Sequence, residues 1–63
     1  MKPDWSNAPS WAQYLAMDED GAWFWYENEP KQLLSCWDQN DGNFKRCGMV
    51  EKNSWTDSLE ARP

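Results

Sequence analysis

Histidine is absent from this 63-residue sequence, and with it go the usual general base, the usual proton shuttle and the commonest metal ligand at neutral pH. Cysteine occurs only at Cys36 and Cys47, too few for a four-cysteine zinc site and, without histidine, unable to complete a mixed one. Basic side chains are scarce. Six lysines and arginines stand against eleven acids, for a net charge of −5 with no long single-sign block, which argues against direct binding of nucleic acid through its phosphates. Long apolar runs are missing as well: no stretch reaches the length of a membrane span, and MKPDWSNAPS lacks the apolar core of a secretory signal. The expectation is a soluble protein of the cytosol that is not an enzyme, carries no cofactor and does not enter a membrane. The acidity reads first as a solubility device and second as a match for a basic target.

What is abundant is aromatic: six tryptophans, two tyrosines and two phenylalanines. A chain this short forms one domain (1–63), and below roughly 70 to 80 residues a lone core seldom supplies more than about 3–5 kcal/mol. A dense aromatic core or self-association is therefore expected to add support, and a homodimer is the leading form of the latter, because each ring buries about 150–250 Å².

Residues 1–10 carry Pro3 and Pro9 among polar neighbours and read as an irregular arm anchored by Trp5. Over 11–17 the pattern fits a helix, with Ser10 as cap and Trp11 and Leu15 four apart, or a strand leading into a turn. The turn favours the strand: Asp18-Glu19-Asp20-Gly21 suits a type I turn whose glycine forms a G1 bulge, as in three-residue hairpin loops. That register sets Met17 opposite Trp23 and Leu15 opposite Trp25 on one face, with Tyr14, Ala16, Phe24 and Tyr26 on the other. Both faces are apolar, so both need a cover from the rest of the chain, a second copy or a target.

A second hairpin is predicted around Asp41-Gly42, the dipeptide preferred by two-residue type I′ loops. It would pair Gln39 with Phe44, Asp38 with Lys45, Trp37 with Arg46, Cys36 with Cys47 and Leu34 with Met49, matching charge with charge and ring with cation. Directly opposed positions permit a disulfide geometrically, whereas a reducing cytosol favours two buried thiols. In the tail (51–63), Ser54 and Asp57 form a capping pattern for a short helix, the alternative being a frayed end. The predicted fold is mainly β, with a small α+β variant admitted: an antiparallel meander of two β-hairpins (11–50) and a short C-terminal helical segment.

Asp18, Asp20, Gly21 and Glu27 match four positions of a calcium-binding loop, but its first ligand position falls on Ala16, and Trp23 to Tyr26 read as strand. The acids therefore read as surface charge. Rings in strands most often form core, a reading that covers Trp11, Trp25 and Trp37 first. Aromatic anchors inside an acidic rim also suit a basic patch on another protein, so the expected binding residues are Asp18, Glu19, Asp20, Glu27 and Glu29 with Trp23, Trp25, Tyr26 and Trp37, and Arg46 beside Trp37.

The residues Pro9, Trp11 and Ala12, then Asp18, Asp20, Gly21, Trp23 and Trp25, then Pro30, then Trp55, Asp57, Ser58 and Leu59 give a P-x-W-A entry, a D-x-D-G turn, alternating tryptophans, a proline break and a W-x-D-S-L ending. This pattern resembles a group of short, mostly uncharacterised accessory proteins of tailed bacteriophages and prophages. The resemblance spans most of the chain apart from KQLLSCWDQNDGNFKRCGMVEKN. It implies a small protein made in the host cytosol that binds and disables or redirects a host component, with anti-CRISPR and anti-restriction inhibitors among such proteins. The leading expectation is an acidic inhibitor that occludes a basic or nucleic-acid-binding surface of a host protein. The alternatives are a sequesterer of a nucleotide-like molecule by aromatic stacking, with Lys45 or Arg46 meeting its phosphate, and a virion or assembly accessory protein.

Overall fold

In the computed structural model, residues 3–39, 41–49 and 55–63 are described. The chain is mainly β: strands β1 (Tyr14–Met17), β2 (Ala22–Tyr26), β3 (Lys31–Gln32), β4 (Trp37–Asp38), β5 (Phe44–Met49) and β6 (Glu60–Ala61), with 3₁₀ turns at Trp5–Asn7 and Trp55–Asp57. One sheet has the order β5-β2-β1-β6, and β3 pairs with β4 in a second; every pairing is antiparallel.

The first hairpin follows its turn chemistry. Gly21 adopts a φ of 92°, which a side chain would oppose, while its N–H donates to the Asp18 carbonyl at 2.9 Å and Asp18 N–H donates to the Ala22 carbonyl at 2.9 Å. The ladder then runs Met17 with Trp23, Ala16 with Phe24, Leu15 with Trp25 and Tyr14 with Tyr26, the register expected from the sequence.

Both apolar faces are covered from within the chain. On one, Ala12, Leu15, Met17, Trp23 and Trp25 form a buried cluster against which Trp5, Ala8, Trp11, Cys47 and Trp55 pack. On the other, Ala16, Tyr26 and Trp37 are buried with Tyr14, Phe24, Trp55 and Leu59 against them. Trp5 does anchor the arm: its ring lies 4.9 Å from that of Trp25, its Nε1 donates to the Glu60 carboxylate, and the Arg62 guanidinium sits 5.6 Å above it.

The second hairpin differs from expectation. Strand β5 does not return along residues 36–39. It lines the outer edge of β2, setting Phe44 opposite Tyr26, Lys45 opposite Trp25 and Arg46 opposite Phe24, with a bulge between Trp23 and Phe24. Trp37 pairs with Gln32 and Asp38 with Lys31, so the residue across the ladder from Asp38 is a different lysine from the one predicted. The Asp41-Gly42 loop does take positive φ at both residues (75° and 85°), as a type I′ turn requires. It docks on the end of β2: Asn28 Nδ2 donates to the Asp41 carbonyl at 3.1 Å, and Glu27 N–H donates to the Asn43 carbonyl at 2.9 Å. Cross-strand pairs are worth only about 0.2–1 kcal/mol each, whereas leaving the edge of the most aromatic strand unpaired would forfeit its ladder and the burial of Cys47 on the tryptophan face.

The C-terminal segment is also corrected. A single 3₁₀ turn, Trp55–Asp57, replaces the expected helix, and the chain then extends into β6 along β1; Ser54 lies outside the described residues. Met17 N–H donates to Ser58 Oγ at 2.8 Å, and Arg62 Nη1 donates to the Ala12 carbonyl at 2.6 Å. The edge of β1 outranks a short helix because it satisfies backbone groups on both partners. Among the described residues, no helix is long and apolar enough to cross a membrane.

Candidate functional site

Most of the expected binding residues hold the fold together. Trp23, Trp25, Tyr26 and Trp37 are 6 %, 3 %, 2 % and 8 % exposed, so as the chain is folded these four rings are core and not surface anchors. The reason is the cover on both faces of the first hairpin, which the sequence left open between chain, copy and target. Trp37 is central to the second face: its Nε1 donates to the Met17 carbonyl at 3.1 Å, its carbonyl accepts from the Tyr26 hydroxyl at 3.3 Å, and its ring meets Trp55 edge-on at 6.2 Å. It does not pair with Arg46, which lies opposite Phe24 on β5.

Several acids are likewise engaged by backbone. Asp18 Oδ1 accepts the Trp37 N–H at 3.0 Å, Asp20 Oδ1 accepts the Ala22 N–H at 3.0 Å, and Glu27 Oε1 accepts the Asn43 N–H at 2.9 Å. This accounts for the calcium-like spacing as turn and loop chemistry. Glu19, Asp20 and Glu29 are exposed.

Burial raises the Asp18 carboxyl above its ordinary 3.8, with the charge of Asp20 adding to the effect and the Trp37 N–H opposing it. Burial, and then the negative charge of Asp18, also raises the Tyr26 hydroxyl. Both cysteines are free thiols, and burial pushes Cys47 up to about 11, which keeps it a small apolar side chain and not a nucleophile.

The Asp18 shift has a testable sign. A carboxyl that binds its proton more tightly in the folded chain than in the unfolded one loses stability as the pH rises from 3.8 through the raised value, and costs nothing below that window. An asparagine in its place would keep an oxygen for the Trp37 N–H without the charge. Asp18→Asn is therefore expected to melt higher than the parent at pH 7 and to lose that advantage below pH 3.8, read by thermal denaturation across pH. A lower melting point at pH 7 would show that the ionised carboxylate stabilises the fold.

The surface that remains open was missed from the sequence. Leu34 is 98 % exposed and Leu33 44 % exposed at the tip of the β3–β4 hairpin, where Leu33 N–H donates to the Cys36 carbonyl at 2.8 Å. Glu19 N–H donates to the Ser35 carbonyl at 3.1 Å, clamping this apolar tip onto the acidic turn. The available signal was two adjacent leucines between Pro30 and Ser35, since a strand buries alternate residues and not neighbours.

The fold and this surface define a small antiparallel β domain with a tryptophan-rich core and an acidic apolar tip. No family model matches the chain, and no curated protein or solved structure matches it either. Trp23 and Trp25 lie in the core, Trp55 and Leu59 pack against it, and Ser58 ties β1 to the C-terminal segment.

Proposed function

We propose that this chain is a non-enzymatic binding protein of bacteriophage origin that occludes a basic surface of a host protein, in the manner of an anti-CRISPR or anti-restriction inhibitor. The observation that carries the reading is the contiguous surface of Leu33, Leu34, Glu19 and Asp20, held as one unit by the Glu19–Ser35 hydrogen bond. A leucine left 98 % exposed in a chain with so little core to give away suits a contact residue, and an acidic rim beside it selects a basic partner. The nucleotide-sequestering alternative keeps Phe44 as its exposed ring among the described residues, and a virion accessory would use the same tip.

The test has two stages. A tagged protein is used to retrieve its partner from host lysate, and the purified partner is then titrated with the parent and with two double variants. Leu33→Ala/Leu34→Ala is expected to weaken binding by about a hundredfold, from the loss of two buried leucine contacts. Glu19→Lys/Asp20→Lys is expected to weaken it strongly at low salt and less at high salt. Melting points should hold for the leucine variant, whose side chains are exposed, and fall slightly for the lysine variant, which gives up the hydrogen bond from the Ala22 N–H to Asp20 Oδ1. Parent-like affinity in both variants would sink the proposal.

A further inference from the structure

The second face of the sheet carries a feature that the docking surface does not use. Between β2, β4 and β5 lies a cavity of about 200 Å³ walled by Phe24, Tyr26, Trp37 and Phe44, with Asp18 and Asp38 at its polar side. Phe24 sits 6.1 Å from Tyr26 and 6.2 Å from Phe44, with interplanar angles of 33° and 41°, so three tilted rings make one continuous wall. Among the described residues no basic side chain lines the cavity, and one carboxylate oxygen of Asp18 is already taken by the Trp37 N–H. Phe44 is half exposed although it belongs to this wall, which leaves the cavity reachable from solvent.

We propose that this cavity is a receptor for a primary alkylammonium group. The methylenes would lie along the rings, the charge would meet their π faces, and its N–H groups would donate to Asp38 and to the remaining oxygen of Asp18. An anion is repelled by both carboxylates. A neutral apolar guest would dry Asp18 further with no compensating charge. The acid at Asp18 then has a reason: asparagine would satisfy Trp37 equally well, and burial opposes the ionised form that a cation rewards. The inference does not depend on the docking reading, because the ammonium can be the end of a partner's lysine or a free amine.

The experiment is an NMR titration of the amide-labelled protein at low salt with n-butylammonium, using n-butanol as its neutral isostere. Saturable shifts are expected at the amides of Asp18, Phe24, Trp37 and Asp38, with a Kd in the millimolar range suited to so small a guest, and no saturation by butanol. Asp38→Asn should weaken binding about tenfold and Phe44→Ala several-fold. Neither change threatens the fold, because both side chains are exposed. Nα-acetyl-lysine N-methylamide binding better than putrescine identifies a protein lysine as the source, and the reverse order a free amine. Saturable binding of butanol equal to that of butylammonium, or no effect of Asp38→Asn, overturns the proposal.

Discussion

Leu15→Ala is expected to leave the domain largely unfolded at room temperature. Leu15 is 0 % exposed and is the largest wholly buried side chain among the described residues, held opposite Trp25 on β2 and Glu60 on β6. Truncating such a leucine costs about 2–5 kcal/mol, the lost transfer energy plus the cavity left behind. A chain of this size seldom has more than about 3–5 kcal/mol to lose. Urea denaturation followed by tryptophan fluorescence reads the outcome. The parent should show a cooperative transition, and the variant little or no folded baseline. A midpoint close to that of the parent would mean that stability resides outside the two aromatic clusters.

Trp37→Ala should come close to the same loss, about 3–5 kcal/mol, since it empties the centre of the second cluster and removes the partner of the Trp55 ring. The sharper comparison is between phenylalanine substitutions. Trp37 Nε1 is bonded to the Met17 carbonyl at 3.1 Å, whereas Trp23 Nε1 is buried with no hydrogen-bond partner among the described residues. Trp37→Phe therefore removes a made hydrogen bond, and Trp23→Phe removes an unsatisfied donor while keeping most of the ring. Ser58 Oγ also approaches the Met17 carbonyl, at 3.2 Å, and holds the difference to about 1 kcal/mol. Denaturation midpoints should rank parent and Trp23→Phe close together and Trp37→Phe below them. The opposite order would show that the buried Trp23 indole contributes more by shape than its unpaired N–H takes away.

Predictions on binding have a different logic from these two. The core variants ask whether the chain folds, and the tip variants keep the fold while removing a surface. The cavity variants at Asp38 and Phe44 change neither the core nor the tip, so a failure of one reading is visible without a failure of the other.

The parts of the fold that the sequence made legible are those governed by short-range rules. Asp18-Glu19-Asp20-Gly21 specified its turn because only glycine takes the bulge conformation cheaply, and the turn specified the ladder from Met17/Trp23 to Tyr14/Tyr26. Asp41-Gly42 specified its own backbone in the same way. The destination of the strand that follows was not local. Pairing β5 with β2 depends on which edge of which strand is free, and the predicted matches of Asp38 with Lys45 and Trp37 with Arg46 were each too weak to compete with a central strand in need of a partner.

The same division governs the site. That the chain holds rings in excess, acids in excess and no histidine was settled by composition, which made binding a better expectation than catalysis. Which rings face water was decided only when Trp5, Trp37 and Trp55 closed over the hairpin, because a residue type sets how much area can be buried and not what lies above it. Trp23, Trp25, Tyr26 and Trp37 then became core, and Leu33, Leu34 and Phe44, ordinary in the sequence, became surface. Turn and register are properties of a few neighbouring residues, whereas exposure belongs to the whole chain once its distant parts have met.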